Sequence, residues 1–495
     1  MTGGTIQKNN AGTVAGGVLV NGTGACSMSG GTITNNTSTY SGGGLWVDDN
    51  TPFTMGGGTI SNNKASGDGG GIYNDNGNIT LSGGSVTGNK ANVNAGSGGG
   101  IRNLGTLTVN GTASIDNNTA YAGGGVHSTT GNIVVSGNAK VNKNTATFEG
   151  GGIDAEYDGS DDTITIAENA QISNNMTKNN GGGISLFPAK LVVSGGKIQN
   201  NTADVGGGIA SYADGDITMT DGEISGNTAI SGGGIYLSQP KMTMSGGSIH
   251  GNTAKLSENS SGTDGYGGGI MSISGKNPVT ITGGSIYGNT AESGLANAYY
   301  QGGKLFVGKD ASITGDIYLY KNKIINVISD LTKANLEVSM AENYTYKQRV
   351  IAEYSADTTS YKNGTDDTKR YSLETNTAGY AKTKGIRIED NSTKGSLYQV
   401  WLDSSELPIR VNYIGRYADT GSVKTEIVEP GTEKYTVQKN SGYTRYSRKA
   451  YTFQGWATIP SYKTPVYSEK TTNVITYDDL RDIYLEQQEA GITAN

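Results

Sequence analysis

Aliphatic residues recur along the first two-thirds of the chain in short stretches separated by polar residues and glycines. Stretches such as Ile79-Thr80-Leu81 and Leu107-Thr108-Val109 alternate apolar and polar side chains, and a period of two is typical of β-strands. A second kind of stretch holds one aliphatic residue, as at Val86 and Ile115. A third follows a glycine cluster, so each repeat predicts three short strands.

The glycine clusters set the length of the repeat. The aliphatic residues that follow them are Leu45, Ile72, Ile101, Val126, Ile153, Ile184, Ile209, Ile235 and Ile270, with a degenerate copy at Gly302-Gly303-Lys304-Leu305. Their spacing is roughly 25 to 35 residues, which is typical of solenoid proteins. Three strands that cannot bury their apolar faces alone predict one triangular coil, and stacked coils predict an all-β, right-handed parallel β-helix.

An asparagine stands three residues after the single aliphatic residue of each repeat. These asparagines are Asn9, Asn36, Asn63, Asn89, Asn118, Asn144, Asn175, Asn201, Asn227, Asn252 and Asn289. The residue before each is mostly Asn or Gly, the types that tolerate positive φ at a tight corner. We therefore expect a ladder of stacked, hydrogen-bonded asparagines, because the regular spacing favours structure over glycosylation. The glycines predict a second corner, where Cβ atoms would collide.

Composition narrows the possible functions. The 495-residue chain has a net charge of −7 and a single cysteine, Cys26, so nucleic-acid binding and an internal disulfide framework are not expected. No stretch is long and apolar enough to predict membrane insertion. We expect residues 1–320 to form the repeat array, 321–405 irregular last coils and a cap, and 406–495 a separate small module.

Two segments resemble known surface-protein families. The segment from Ile224 to Ile235, with Asn227 and Gly232-Gly233-Gly234, resembles the repeats of chlamydial polymorphic outer-membrane proteins and the coils of pectate-lyase-like surface proteins. It has Ile where the chlamydial repeat usually has Phe. The segment Tyr451-Thr452-Phe453-Gln454-Gly455-Trp456-Ala457-Thr458 resembles a Listeria–Bacteroides (internalin B-type) repeat, which implies a β-grasp-like C-terminal module. Both resemblances imply a secreted or cell-surface bacterial protein.

The residue after each inward aliphatic residue should face outwards. In successive coils these residues are Trp46, Tyr73, Arg102, His127, Asp154, Ser185, Ala210, Tyr236, Met271 and Phe306. Trp46, Tyr73, Arg102, His127 and Asp154 are the candidate binding residues, because aromatic side chains next to polar groups suit a sugar. The alternative is an exposed stripe without a function. No catalytic residue is predicted, because no set of acidic residues recurs across adjacent coils in the way that a polysaccharide-cleaving site requires. No cofactor or metal site is predicted either, since the chain has only two histidines and one cysteine.

These features lead to two functional hypotheses. The first is a non-enzymatic adhesin or stalk, extracellular and monomeric, that binds glycans or host surface proteins along a rigid rod. The second is a polysaccharide lyase or glycoside hydrolase on the same scaffold, since one fold can host both.

The start of the chain predicts a fragment or an internal start. Met1-Thr2-Gly3-Gly4-Thr5-Ile6 aligns with Met244-Ser245-Gly246-Gly247-Ser248-Ile249, so the sequence opens within a coil, without the polar cap or signal segment expected of an exported array.

Overall fold

The strands of residues 1–340 stack in parallel as a β-helix of about 12 turns. The computed structural model describes residues 1–340 except 23, 158–161, 258–263, 274–276, 295–296, 309 and 321–322. Beyond residue 340 it describes the strands given below and Arg370. The described part of the chain is all-β, which confirms the predicted fold class.

Three parallel sheets run along the β-helix, as the three stretches per repeat predict. The front sheet follows the glycine clusters and contains Val18–Val20, Leu45–Val47, Ile72–Asn74, Ile101–Asn103, Val126–Ser128, Ile153–Glu156, Ile184–Phe187, Ile209–Ser211, Ile235–Leu237, Ile270–Ser272, Ala298–Tyr300 and the end of Ser312–Leu319. The second sheet contains Cys26–Met28, Pro52–Met55, Asn78–Leu81, Thr106–Val109, Ile133–Val135, Thr163–Ile166, Met242–Met244, Val279–Ile281, Leu305–Val307, Ile325–Val327 and the starts of Lys190–Gln199 and Ile217–Ser225. The third contains Thr5–Gln7, Thr32–Thr34, Thr59–Ser61, Ser85–Thr87, Ser114–Asp116, Lys140–Asn142, Gln171–Ser173, Ser248–His250, Ser285–Tyr287, the ends of Lys190–Gln199 and Ile217–Ser225, and the start of Ser312–Leu319.

A further set of strands lies between the third-sheet strand of one coil and the front-sheet strand of the next. These strands pair in parallel with one another from coil to coil. They are Asn10–Ala11, Thr37–Ser38, Lys64–Ala65, Thr119–Ala122, Thr145–Glu149, Thr228–Ala229, Thr253–Ala254 and Thr290–Ala291. The core lies inside the coil, where each sheet contributes one apolar face. In a single coil, Ile72, Ile79 and Val86 are at most 1% exposed. Each fully buried aliphatic side chain contributes about 1.5 to 3 kcal/mol, so stacking the coils supplies the stability that one coil lacks.

The asparagine ladder is confirmed. Asn201 is fully buried, and its backbone N–H and Nδ2 both donate to Asn227 Oδ1 at 2.9 Å. Nδ2 also donates to the carbonyl of Ile172 at 3.0 Å. The same pattern repeats from Asn9 to Asn289. The preceding residue has positive φ in most coils, for example 56° at Asn200.

The glycine corner is also confirmed, and two of its glycines act by different means. Gly123 has a φ of 61°, a left-handed conformation that glycine adopts without strain. Gly124 lies close to the backbones around it. A Cβ there would lie 2.6 Å from the carbonyl oxygens of Gly151 and Thr145, so only glycine permits this close stacking.

The predicted alignment is wrong at the end of the array. The strand Leu305–Val307 lies in the second sheet, paired with Val279–Ile281, so Phe306 follows Thr280 and not Met271. The front sheet continues instead through Ala298–Tyr300, where Tyr299 pairs with Met271. The cause is that this coil turns into the front sheet at Asn297, whose carbonyl accepts from Gly269 and Ile270, without a glycine cluster.

Further strands follow the array. They are Asn335–Met340, Gln348–Tyr354, Tyr371–Leu373, Ile386–Asn391, Leu397–Asp403, Ile409–Tyr413, Lys424–Val428, Tyr435–Thr436, Gly455–Trp456, Tyr467–Ser468 and Val474–Ile475. Asn335–Met340 pairs in parallel with the strand ending at Leu319. The last eight strands include four antiparallel pairs, beginning with Ile386–Asn391 and Leu397–Asp403.

The chain divides into two compact units. One contains residues 1–340 with 353–372, and the other 341–352 with 373–495. Of the motif resembling a Listeria–Bacteroides repeat, only Gly455 and Trp456 lie within the described residues. That resemblance and the domain limits at 320 and 405 stay predictions.

Candidate functional site

The register of the front sheet brings the five candidate residues together. Trp46 pairs with Tyr73, Tyr73 with Arg102, Arg102 with His127, and His127 with Asp154. Their neighbours Leu45, Ile72 and Ile101 are fully buried in the core, so the candidate side chains lie on the outer face. We call this line of residues the outer column; it continues through Ser185, Ala210, Tyr236, Met271 and Tyr299.

Two aromatic rings form one end of the candidate site. The rings of Trp46 and Tyr73 stack with centroids 4.1 Å apart and planes inclined by 11°. Both side chains are half-buried. Each ring covers one face of the other, and the indole N–H and the phenolic hydroxyl are the polar groups that this half-buried pair can offer to a ligand.

His127 lies at the centre of a charged network. Its Nδ1 accepts a hydrogen bond from Arg102 Nη1, and its Nε2 lies 3.1 Å from Asp154 Oδ2. An arginine can only donate, so the imidazole proton is on Nε2, the ring nitrogen nearer to Asp154. Arg102 also donates from Nη2 to Thr129 Oγ1 at 3.3 Å. These contacts link the side chains of Arg102, His127 and Asp154, which lie in three successive coils.

Parts of the outer column are buried, so it is not exposed along its whole length. His127 is 4% exposed and Asp154 2%. Asp154 Oδ2 has no hydrogen bond within the described residues, because its 3.1 Å contact with His127 Nε2 lacks hydrogen-bond geometry. Ser185 Oγ, on the next strand, also lacks a partner there. Leaving such a group unsatisfied costs about 1 to 3 kcal/mol, and native structures contain few of them.

The residues just before the glycine clusters border the outer column, and the sequence analysis missed them. Asp68, Ser97, Ala122, Glu149, Asn180, Val205, Ser231 and Tyr266 hold this border position. Backbone bridges align most of them from coil to coil. The first glycine of each cluster has positive φ and turns the border residue towards the column. The turn is tight: a Cβ on Gly150 would lie 2.2 Å from the Cβ of Asp154.

Glu149 is a border residue whose pKa is strongly raised. Burial first, and then the negative charge of Asp154, raise the pKa of Glu149 from 4.5 to about 7. A hydrogen bond with Asn180 opposes the shift. Asn180 in turn accepts from the hydroxyl of Tyr212 at 2.8 Å. Glu149 therefore changes its ionisation near neutral pH.

The raised pKa predicts a dependence of stability on pH. The folded state holds the Glu149 proton more tightly than the unfolded state, so ionising it removes stability between pH 4.5 and about pH 7. We expect the free energy of unfolding of Glu149→Gln, relative to that of the wild type, to rise by about 1 to 2 kcal/mol when the pH is raised from 4.5 to 8. This value is reduced because the side chain is partly exposed. Urea denaturation at both pH values measures this. If the difference in stability between the variant and the wild type were the same at both pH values, the pKa of Glu149 would not be raised.

The other end of the outer column is rich in tyrosine. Tyr212 and Tyr236 have ring centroids 5.5 Å apart. Tyr299 stacks between Tyr266 and Tyr318, with both centroid distances at 4.9 Å. Tyr299 was missed because the sequence alignment placed Phe306 in this column.

Neither a metal site nor a membrane span stands out. Within the described residues, no three His, Cys, Asp or Glu side chains form a group able to hold a metal ion. The same residues contain no helix with the length and hydropathy needed to cross a membrane.

Comparisons with known proteins add no assignment. No protein-family model, curated protein or solved structure matched this chain. The resemblances to chlamydial, pectate-lyase-like and Listeria–Bacteroides repeats therefore stay predictions from the sequence, and the parallel β-helix is what the structure establishes.

Proposed function

We propose that this protein is an extracellular, glycan-binding bacterial surface protein that binds its ligand along the outer column without cleaving it. The observation that carries the proposal is the in-register line of Trp46, Tyr73, Arg102, His127 and Asp154 on one face. The cell-surface location rests on the two sequence resemblances, and a host surface protein is the alternative partner.

The spacing of the column favours an extended ligand. Neighbouring coils are roughly 4.8 Å apart, so four such spacings from Trp46 to Asp154 cover about 19 Å. Aromatic edges with N–H and O–H donors suit the mixed apolar and hydroxyl surface of a sugar ring. A polymer that contacts several coils would gain affinity from many weak contacts.

Burial of Asp154 argues against turnover. A catalytic carboxylate must reach the reacting atoms, and Asp154 is 2% exposed and paired with His127. The second candidate function is glycoside hydrolysis. One observation favours it: Glu149, with a pKa near 7 next to Asp154, has the acidity expected of a general acid beside a carboxylate.

A glycan array followed by calorimetric titration tests the proposal. We expect Trp46→Ala and Tyr73→Ala each to weaken binding of the selected glycan by tenfold or more, since central aromatic anchors dominate such interfaces. Tyr287→Ala is the matched control, because Tyr287 stacks on His250 in the third sheet. No binding on the array, or wild-type affinity in both column variants, would contradict the proposal. Release of cleaved glycan would support the hydrolase.

A further inference from the structure

We propose that the outer column selects glycans that carry protonated amino groups, such as polymers of unacetylated amino sugars. This inference rests on the proposed glycan-binding function and names its ligand class. It follows from the balance of charges around the column and from a buried carboxylate oxygen, Asp154 Oδ2, that has no hydrogen bond among the described residues.

Carboxylates outnumber cations around the network. Asp68 lies 3.9 Å from Arg102 Nε, and Glu156 lies 4.0 Å from His127 Nε2. Asp154 and Glu149 lie beside them, and Arg102 is the only arginine or lysine among these residues. With His127 neutral and Glu149 protonated, the carboxylates of Asp68, Asp154 and Glu156 against one guanidinium leave a net charge of −2, and ionisation of Glu149 near pH 7 adds a further negative charge. A cationic group at this face would gain Coulomb energy, and an anionic group would lose it.

The excess of negative charge continues beside the aromatic pair. Burial and the charges of Asp48 and Asp49 raise the pKa of Asp75, which follows Tyr73 by two residues. None of these three aspartates forms an ion pair with another described residue. The carboxylates therefore extend over the same coils as Trp46 and Tyr73.

Asp154 provides an independent sign of a missing cation. Its side chain is 3% exposed, yet Oδ2 has no hydrogen-bond partner among the described residues. Arg102 contacts His127 Nδ1, Thr129 and Asp68, so its charge acts on Asp154 only through space and without a hydrogen bond. An ammonium group near Glu149 and the 60%-exposed side chain of Glu156 would supply the charge that this carboxylate lacks.

An amino sugar fits better than an acidic sugar for the same reason. A uronate carboxylate at Arg102 would also face Asp68, Asp154 and Glu156, and like charges side by side are unfavourable. An N-acetylated sugar has the same ring but no charge. Three oligosaccharides of one length therefore separate the effect of charge from that of shape.

The experiment compares hexamers of β-1,4-linked glucosamine, N-acetylglucosamine and galacturonate by calorimetric titration on the full chain at pH 6.5. We expect the glucosamine hexamer to bind about tenfold or more tightly than the other two. Its affinity should fall several-fold between 50 and 500 mM NaCl, because salt screens partly exposed charges. A hexalysine peptide forms a fourth arm that offers the same charge without sugar rings.

Variants locate the effect on the outer column. Glu156→Gln should weaken glucosamine binding about five- to tenfold and leave binding of N-acetylglucosamine unchanged. Asp216→Asn is the control, because Asp216 is an exposed carboxylate paired with Lys241 at 3.8 Å, away from the column. Glu156 is largely exposed, so its replacement should not disturb folding, and circular dichroism checks this.

The outcomes separate this inference from the proposed function. Equal binding of glucosamine and N-acetylglucosamine, or tighter binding of galacturonate, would overturn amine selection and leave glycan binding intact. Hexalysine affinity equal to that of the glucosamine hexamer would overturn it in favour of a basic protein segment. Failure of every glycan here and on the array would reject the proposed function itself.

Discussion

Replacing Asn201 with alanine should lower the stability of the β-helix by about 3 to 5 kcal/mol. The change removes two side-chain donations, to Asn227 and Ile172, and the oxygen that accepts from Asn175 N and Nδ2 at 2.9 and 3.0 Å. All these groups are buried, and each group left without a partner keeps its full cost of desolvation. Urea denaturation followed by circular dichroism gives the change.

The neighbouring residue provides the control. Asn200 is exposed with a φ of 56°, and Gly226 takes its place in the next coil. Asn200→Gly should therefore change stability by less than about 1 kcal/mol. If Asn201→Ala and Asn200→Gly gave similar denaturation midpoints, the ladder would contribute little to stability.

Gly124→Ala should be comparably damaging, with a loss of about 3 kcal/mol or more. The new Cβ would lie 2.6 Å from the carbonyl carbon and oxygen of Thr145 and from the carbonyl oxygen of Gly151. These are backbone atoms of the next coil, held by the parallel ladder, so they cannot move aside as a flexible side chain would. Thermal denaturation monitored by circular dichroism measures the effect.

Gly56→Ala is the matched control for the glycine corner. The nearest atom to a Cβ at Gly56 is Ser82 Oγ at 3.8 Å, and Gly56 does not have positive φ. We expect its melting temperature to equal that of the wild type or rise slightly, since alanine restricts the unfolded chain. An unchanged melting temperature for Gly124→Ala would refute the close stacking of backbones at this corner.

The sequence was sufficient to predict the features that repeat in every coil. Asn201 and Gly124 belong to positions that recur because every coil has the same two corners. At one corner buried backbone groups need hydrogen-bond partners, and at the other there is no room for a Cβ. The outer column from Trp46 to Asp154 followed from counting one residue past the inward aliphatic. These predictions depend on local pattern alone.

The end of the outer column could not be predicted in the same way. The coil that enters the front sheet at Ala298 has no glycine cluster, and Asn297 takes over the hydrogen bonds of that corner. The next Gly-Gly pair, at Gly302 and Gly303, comes before a strand of the second sheet. An alignment by motif assigns a strand to the front sheet because glycines precede it. In the structure, backbone hydrogen bonding with the neighbouring coil determines the sheet to which each strand belongs.

The border residues were missed for a different reason. Glu149 and Asp68 occupy one position in every repeat, directly before the glycines, and that position can be read from the sequence. Their closeness to Asp154 and Arg102 depends on the positive φ of the first glycine, which turns this border towards the front sheet. A pattern of inward and outward strand residues contains no information about that turn.

Hydroxyl-radical footprinting with mass spectrometry tests most directly whether the outer column binds the ligand. With the array-selected glycan at saturation, we expect several-fold slower oxidation of Trp46 and Tyr73, which are half-buried and face outwards. Tyr287, 44% exposed in the third sheet, should be oxidised at the same rate with and without glycan. Unchanged oxidation of Trp46 and Tyr73 under saturating glycan would contradict the account.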